Sequence, residues 1–431
     1  MSANGNMIYG IEDKPKTIRE LLLYAVQILL SVFVATVLIA AICGTPIDAC
    51  LVGACFGTLI YEVFTKFKSP MFISSCGATV SAVIGALALG DGNNYLAVVI
   101  GGVVIAVIYS LFALLVKLKG IESINKIFPA IIVGPVTMVI GLNLATFIPT
   151  YVQVEGQYST VGILIAIFTM LVIAVSSHYF KGFMRTIPFL IGLGAGYALS
   201  ALLTVCGVAN IIDFSKFSGI GVFRLPDFSF LHFNTSLDWA TVGQVVLLFV
   251  PVAICALLEH YSDHKVMSGI VGTDLTVNPG LHRTLLGDGI ASFLGTVICG
   301  LPNTSYGESI ATVGFSRVAS VRVISTAAIM LGVMGFIEPI QVFINSIPAC
   351  VFGGCAMILY GYIASSGLKT LIASKSDLNN NKNLIIVSVI LTVGVSGIWL
   401  FSQSFAGVSL AMVLGVILNL VLKGGEKSER P

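Results

Sequence analysis

The sequence predicts an all-α polytopic membrane protein of about 14 transmembrane segments in two inverted seven-span repeats. Three observations carry that prediction: the composition, the placement of the basic residues, and two short segments that recur half a chain apart. Of 431 residues, 57% are hydrophobic and 10% charged, with a mean hydropathy of +1.01. So little charge cannot cover a soluble domain, and at roughly 20 apolar residues per crossing the chain has room for its spans and little else. The lipid bilayer is therefore the first expected partner, and a net charge of +2 gives no reason to expect a nucleic acid. The first apolar run follows Lys14, Lys16 and Arg19 and passes Cys43 without a cleavage-type pattern, so it reads as a retained span. The nine cysteines form no CxxC pair; buried thiols are expected, rather than a disulfide framework or a zinc site.

Charge placement gives the crossings. The 22 Lys and Arg residues cluster at 14–19, 66–68, 117–126, 181–185, 265–283, 317–322, 369–382 and 423–430, with only Lys216 and Arg224 outside. Between clusters lie segments without a basic residue: Gly44-Thr45-Pro46, Asp91-Gly92-Asn93-Asn94, Pro149 to Ser159, and Phe401 to Phe405. Basic loops stay cytoplasmic, so the alternation gives about fourteen crossings with both termini inside. The long external segment 207–238 carries the two exceptions, and long loops obey the charge rule poorly.

The repeat is read from two pairs of segments. Pro129-Ala130-xxx-Gly134-Pro135-xx-Met138 recurs as Pro348-Ala349-xxx-Gly353-Gly354-xx-Met357, displaced by 219, and Ser74-Ser75-Cys76-Gly77 recurs as Thr304-Ser305-Tyr306-Gly307, displaced by 230. The first Pro-Ala copy starts beside basic Lys126 and the second runs toward Lys369, so the copies cross in opposite senses. Inverted repeats are a hallmark of secondary transporters, whose site lies between broken helices near the midplane. The stretches Pro70 to Gly77 and Pro302 to Gly307 are poor continuous helix. Extended chain leading into a half-helix would leave backbone N–H groups free for a ligand.

Four acidic residues fall inside apolar runs: Glu259, Asp263, Asp288 and Glu308. Such groups are expensive at bilayer depth and each requires a reason. Glu259 and Asp263, spaced i, i+4, share one helix face, and His260 and His264 share another about 100° round. Glu259 is expected to serve substrate or proton, Asp263 either function or a solvated helix end, and Asp288, between two glycines, a structural cap. Glu308 follows the Ser-Tyr-Gly break, where a half-helix dipole favours a carboxylate beside the freed N–H groups. Carboxylates accepting from ring N–H groups, with backbone N–H groups donating to ring carbonyls, fit a planar neutral ring such as a pyrimidinedione. They fit a bare anion poorly. A carboxyl group removed from water favours its neutral form, so proton binding linked to substrate binding is expected.

At these residues the sequence resembles the nucleobase–ascorbate transporter (nucleobase:cation symporter-2) family, and most closely its bacterial uracil permeases. The run Pro302-Asn303-Thr304-Ser305-Tyr306-Gly307-Glu308 resembles the family signature in its uracil-type form, where xanthine and urate members carry Gln-Asn in place of Glu308-Ser309. Further matches are Glu259-His260, Asn278-Pro279-Gly280-Leu281-His282-Arg283, Leu359-Tyr360-Gly361 and Val393-Gly394-Val395-Ser396-Gly397. The resemblance implies a core domain (1–118, spans 1–4, and 239–339, spans 8–11), a gate domain (119–206, spans 5–7, and 340–424, spans 12–14), an external loop at 207–238 and a cytoplasmic tail at 425–431. It implies short antiparallel strands in spans 3 and 10, proton-coupled uptake of a nucleobase such as uracil across the cell membrane, elevator-type movement of the core, and a homodimer. No resident cofactor and no enzymatic activity are implied. By the same resemblance Glu259, Glu308, Gly307, Tyr306, Cys76 and Ala35 are substrate-binding residues, with Gly307 and Cys76 presenting backbone N–H groups, and Glu259, Asp263 and Glu308 serve proton coupling. The chain departs from the family at Asp263, where uracil permeases have a His, at Cys76, where many have a Phe, at Gln27-Ile28, where a Gln-His pair is usual, and at Ser309 and Ala311, which replace the motif Asn and Gly.

Three other readings remain open at this level. A permease for xanthine or another base is the nearest; a sulfate-permease-like anion transporter of the same fold is the second. An intramembrane metalloenzyme built on His260 and His264 is the third, since their spacing suits zinc.

Overall fold

The computed structural model describes residues 7–89, 94–120, 129–154, 157–233, 238–398 and 406–422. Lys126, the expected loops at Asp91-Gly92-Asn93 and Phe401 to Phe405, and the tail at 425–431 lie outside the described residues. Several helices begin where the sequence supplies a capping side chain. The Thr17 side chain accepts from the Glu20 N–H and opens α1 (Ile18–Cys43), which Gly44 closes in the left-handed region at φ 67°. After Pro46 comes α2 (Ile47–Phe64), then the strand β1 (Ile73–Ser75), a 3-10 turn at Gly77–Thr79 and the short α3 (Val80–Leu87). Asn94 caps α4 (Tyr95–Lys119), and Pro129, which cannot continue a helix backward, opens α5 (Ala130–Ala145). A small hairpin of β2 (Gln153–Val154) and β3 (Gln157–Tyr158) leads to α6 (Thr160–Tyr179), capped by Ser159, and then to α7 (Pro188–Val205).

The second half opens on α8 (Trp239–Val271), where the Asp238 side chain accepts from the Thr241 N–H at 2.8 Å. It continues through α9 (Leu281–Cys299), β4 (Asn303–Ser305), α10 (Gly307–Ser316) and α11 (Val321–Met334). It closes with α12 (Ala349–Ala373), opened by Pro348 as α5 is by Pro129, then α13 (Asn381–Val395) and α14 (Ala406–Val421). Among the described residues eight helices are long and apolar enough to cross a bilayer, joined by shorter apolar helices at Gly77–Leu87, Val321–Met334, Asn381–Val395 and Gly407–Val421.

The expected pair of short strands is β1 and β4, which cross antiparallel with Ile73 opposite Ser305, Ser74 opposite Thr304 and Ser75 opposite Asn303. Extended backbone at this depth survives only if its polar groups are paired within the protein. The ladder therefore extends one residue past each strand: Cys76 N–H donates to Pro302 O at 2.8 Å and Tyr306 N–H donates to Phe72 O at 3.1 Å. Side chains close the edges. The Thr58 hydroxyl donates to Ile73 O and accepts from Ile73 N–H, Thr36 meets Ser74 at 2.7 Å, and Asn303 Nδ2 donates to Gly53 O at 3.0 Å. This close approach needs a missing side chain: a Cβ on Gly57 would lie 2.7 Å from Asn303 Nδ2.

Around the crossed strands α9 packs on α4 and α2, α11 on α1 and α2, and α8 on α4 and α10. A second set of helices packs mainly on itself, with α12 against α5 and α6, α13 against α14 and α5, and α6 against α7. The two sets meet where α1 touches α7 and α12, and where α8 touches α14 and α5.

A cavity between crossed half-helices

A cavity of about 600 Å³ opens between the strand crossing and the α5–α12 pair. The wall from α8 carries Glu259, Ser262 and Asp263, the crossing contributes Gly77, Ala78 and the run Thr304 to Glu308, and α1 adds Ala35 and Ile39. On the far side stand Ala130, Val133 and Thr137 from α5 and Leu359, Ile363, Ser366 and Lys369 from α12. The expected residues Glu259, Asp263, Glu308, Gly307, Tyr306 and Ala35 are thus brought onto one wall. Glu259 is exposed and Asp263 and Glu308 are half-buried. All three line the cavity, so the water they meet is the cavity's own.

Each functional side chain is positioned by an identifiable element. Helical spacing carries Glu259 and Asp263 to the same face of α8, and Ser305 Oγ, at the end of β4, donates to Asp263 Oδ2 at 2.8 Å. Asp263 is therefore tied to the crossing; it is not a solvated helix end. Glu308 sits in the first turn of α10. Among the described residues the Gly307 N–H donates no hydrogen bond, as expected of the first position of a helix. No ion pair is made by Glu259, Asp263, Glu308 or Lys369 among the described residues, whereas Lys265 at the cavity edge pairs with Asp274 at 3.2 Å.

Two expectations need correction. The Cys76 N–H is consumed by Pro302 O, and its side chain, 1% exposed, packs with Ala78 and Ala256 off the cavity wall. The N–H released at this end of the crossing belongs to Gly77, the residue that follows the extended ladder as Gly307 follows it on the other side. The aligned segments Ser74 to Gly77 and Thr304 to Gly307 already pair Gly77 with Gly307, so the signal was present in the sequence. Asp288 is not a cap. It lies in the middle of α9, fully buried, where Thr304 Oγ1 donates to Asp288 Oδ2 at 3.0 Å.

The back face of α8 is sealed. His260 and His264 are fully buried, with ring centroids 4.0 Å apart. His260 Nδ1 stands 2.5 Å from Asp288 Oδ2, outside hydrogen-bond geometry. His264 has both nitrogens engaged, Nδ1 with His260 O at 2.7 Å and Nε2 with the Tyr61 hydroxyl at 2.6 Å. Among the described residues no three His, Cys, Asp or Glu side chains converge as metal ligands, so the pair gives the metalloenzyme reading no support. Sequence reasoning gave no role of their own at the site to Ser305, Thr304, Tyr61 or Lys369. Hydroxyls and a span-end lysine are ordinary in membrane helices, and only the crossing shows what these touch.

The comparisons with known proteins place the chain in a family and a fold. Residues 19–403 match the Xan_ur_permease model of the Permease family. The chain is 36% identical over 424 residues to the uracil permease of Bacillus caldolyticus, covering 97% of this chain and 95% of that one. It is 35% identical to the uracil permease of Bacillus subtilis (97% and 96% covered) and 32% identical to that of Escherichia coli K12 (96% and 94%). Among solved structures it is similar to the transmembrane domain of the cyanobacterial bicarbonate transporter BicA, with TM-score 0.61, 16% identity and coverage of 94% and 98%. It is also similar to the murine anion transporter Slc26a9 in an inward-facing state, with TM-score 0.65, 11% identity and coverage of 95% and 69%. Identities this low speak for the fold alone. Match length, full-length relatives and fold together make the chain a multi-pass membrane transporter that belongs to the nucleobase:cation symporter-2 permease family.

Proposed function

We propose that this permease carries a nucleobase, uracil first among them, into the cell together with a proton. The observation that carries the reading is one cavity lined by Glu259, Asp263 and Glu308 together with Gly307 and Gly77, whose N–H groups donate no hydrogen bond among the described residues. Acceptors and donors then alternate as the edge of a pyrimidinedione requires: Glu259 and Glu308 take ring N–H groups, while the backbone donates to ring carbonyls. Tyr306 and Ala35 complete the wall. Three acids without a partner cation give the proton its place, with Asp263 held by Ser305 beside Glu259. The uracil permeases among the relatives support the substrate class.

In this reading α1 to α4 and α8 to α11 form the core and α5 to α7 and α12 to α14 the gate, fourteen crossings in two inverted halves. The matching Pro129 and Pro348 starts of α5 and α12 and the matching ends of the crossed strands support the inversion. Lys265 and Lys369 edge the cavity, and basic loops face the cytoplasm, so the cavity opens inward with both termini on that side. Alternating access follows from elevator movement of the core against the gate, in a homodimer whose gate faces supply the fixed frame. The fold is shared with anion transporters, but three carboxyl groups in the cavity would repel an anion, which favours a neutral base.

The test is uptake of labelled uracil in cells lacking their own permease, with and without a protonophore, and with xanthine and other bases as competitors. Uptake that collapses with the proton gradient is expected. Absence of uptake sinks the uracil reading, and uptake indifferent to the gradient sinks the coupling.

A further inference from the structure

We infer that Tyr61 and His264, behind the cavity and touching no part of it, are positioning residues that set the rotation of α8 and thereby aim Glu259 and Asp263. The inference rests on the proposed reading of those two acids. Both residues are fully buried, on α2 and α8. The hydrogens in their contact are fixed by elimination. His264 Nδ1 faces the His260 carbonyl oxygen at 2.7 Å, and a carbonyl only accepts, so Nδ1 carries the hydrogen. In the neutral ring Nε2 is then an acceptor, and the Tyr61 hydroxyl, 2.6 Å away, donates to it. Tyr61 Oη in turn takes the hydrogen of Ser69 Oγ at 2.8 Å. His264 O also accepts from Ser268 Oγ at 2.6 Å. Every polar atom of His264 is tied, whereas both ring nitrogens of its neighbour His260 lack a hydrogen-bond partner.

The placement of these ties makes them more than a local brace. Ser69 belongs to the segment that enters β1, β1 pairs with β4, and β4 ends on Ser305, which holds Asp263. Asp263 and His264 are consecutive on α8 and point about 100° apart. Two adjacent residues of one helix are thus fastened to the two paired strands at one end of the crossing, where the entry of β1 at Ile73 stands opposite Ser305. That closed circuit fixes the helix against rotation about its axis. A small rotation would carry Glu259 and Asp263 away from Gly307 and Glu308, and a tether on only one side would not prevent it.

The test uses the full-length protein in nanodiscs. Tyr61→Phe leaves buried His264 Nε2 with only the longer contact to Ser69 Oγ at 3.5 Å, so it lowers thermal stability and raises the uracil Kd by about tenfold. The double variant Tyr61→Phe with His264→Leu, made in a Ser69→Ala background, removes all three polar side chains of the contact. It is expected to regain stability while its Kd stays raised and the pH dependence of binding stays displaced, which a merely structural role would not produce. A wild-type Kd and pH profile in the double variant overturns the inference. Amide exchange at 73–75 and 303–308, read without ligand, separates this failure from failure of the uracil reading. If the wild type does not bind uracil, the substrate reading falls, and the circuit still stands or falls on exchange. Faster exchange there than elsewhere in Tyr61→Phe supports it, and unchanged exchange overturns it.

Discussion

The two ends of the strand crossing are built alike and equipped differently. Each releases a glycine N–H just past the ladder, Gly77 at one end and Gly307 at the other. Beyond Gly77 the chain continues with Ala78 and Thr79 in a 3-10 turn; beyond Gly307 it continues with Glu308 in a regular helix. One end is a neutral donor and the other a donor with a carboxylate beside it. A neutral base with both C=O and N–H groups along its edge needs both kinds of contact, and under the proposed reading the two ends supply one of each. An anion would prefer two ends like the first.

The largest expected effect comes from removing that asymmetry. Glu308→Gln makes the second end resemble the first in charge, and Glu259→Gln removes the acceptor facing it from α8. Each is expected to weaken uracil binding by about a hundredfold, because a buried ring N–H then meets a group that can present a donor where an acceptor is needed. Isothermal titration on purified variants measures this. An unchanged Kd for both would remove the site from this cavity.

A middle-sized effect separates the two ends directly. A Cβ on Gly307 meets nothing within 4 Å, and one on Gly77 meets only Ile363 Cδ1 at 3.6 Å and Ile39 Cδ1 at 3.9 Å. Alanine at either position therefore fits the fold, and its methyl group takes space from the ligand. Gly307→Ala, beside Glu308, is expected to raise the half-saturation constant for uptake about tenfold, and Gly77→Ala by less, with thermal stability unchanged in both. Equal effects would mean that the ligand spans the crossing evenly; an effect only at Gly77 would reverse the assignment of the ends.

Much of this was legible in the sequence, for reasons specific to particular residues. The long apolar runs mark the long helices, because the bilayer imposes a length rule on every span. The pairing of Ser74 to Gly77 with Thr304 to Gly307 marks the crossing, and Glu308 after the break marks the half-helix start. What was missed depends on contacts between distant segments. That Cys76 spends its N–H on Pro302 follows from a register no local pattern encodes. That Asp288 meets Thr304, and His264 meets Tyr61, requires knowing that α9 and α2 flank the strands. Gly287 and Gly289 on either side of Asp288 suggested a helix end, yet both are packing positions in the middle of α9, against Tyr61 and Tyr109.

The smallest expected effect lies outside both ends and shows whether the others are local. Asp238 caps the helix that carries Glu259 and Asp263, accepting from the Thr241 N–H at 2.8 Å, far along the helix from the cavity. The hydrogen bond from Thr241 holds its carboxyl group below the ordinary value of 3.8. A folded-state pKa below the unfolded one means that the cap stabilises fully above the unfolded value. That contribution is lost as pH falls through the lower, folded one. At neutral pH Asp238→Ala is expected to lower the melting temperature by about 2 °C, and the difference from wild type should narrow as pH falls from the unfolded value of 3.8 through the lower, folded one, since a protonated carboxyl group keeps only its weaker neutral acceptor. Uracil binding should not change, since the cap sets where α8 begins and the crossing sets how it is rotated. A weakened Kd in Asp238→Ala comparable to that of Gly77→Ala would mean that any loosening of α8 reaches the cavity. The difference between the two ends of the crossing would then reflect helix stability rather than the groups each end presents.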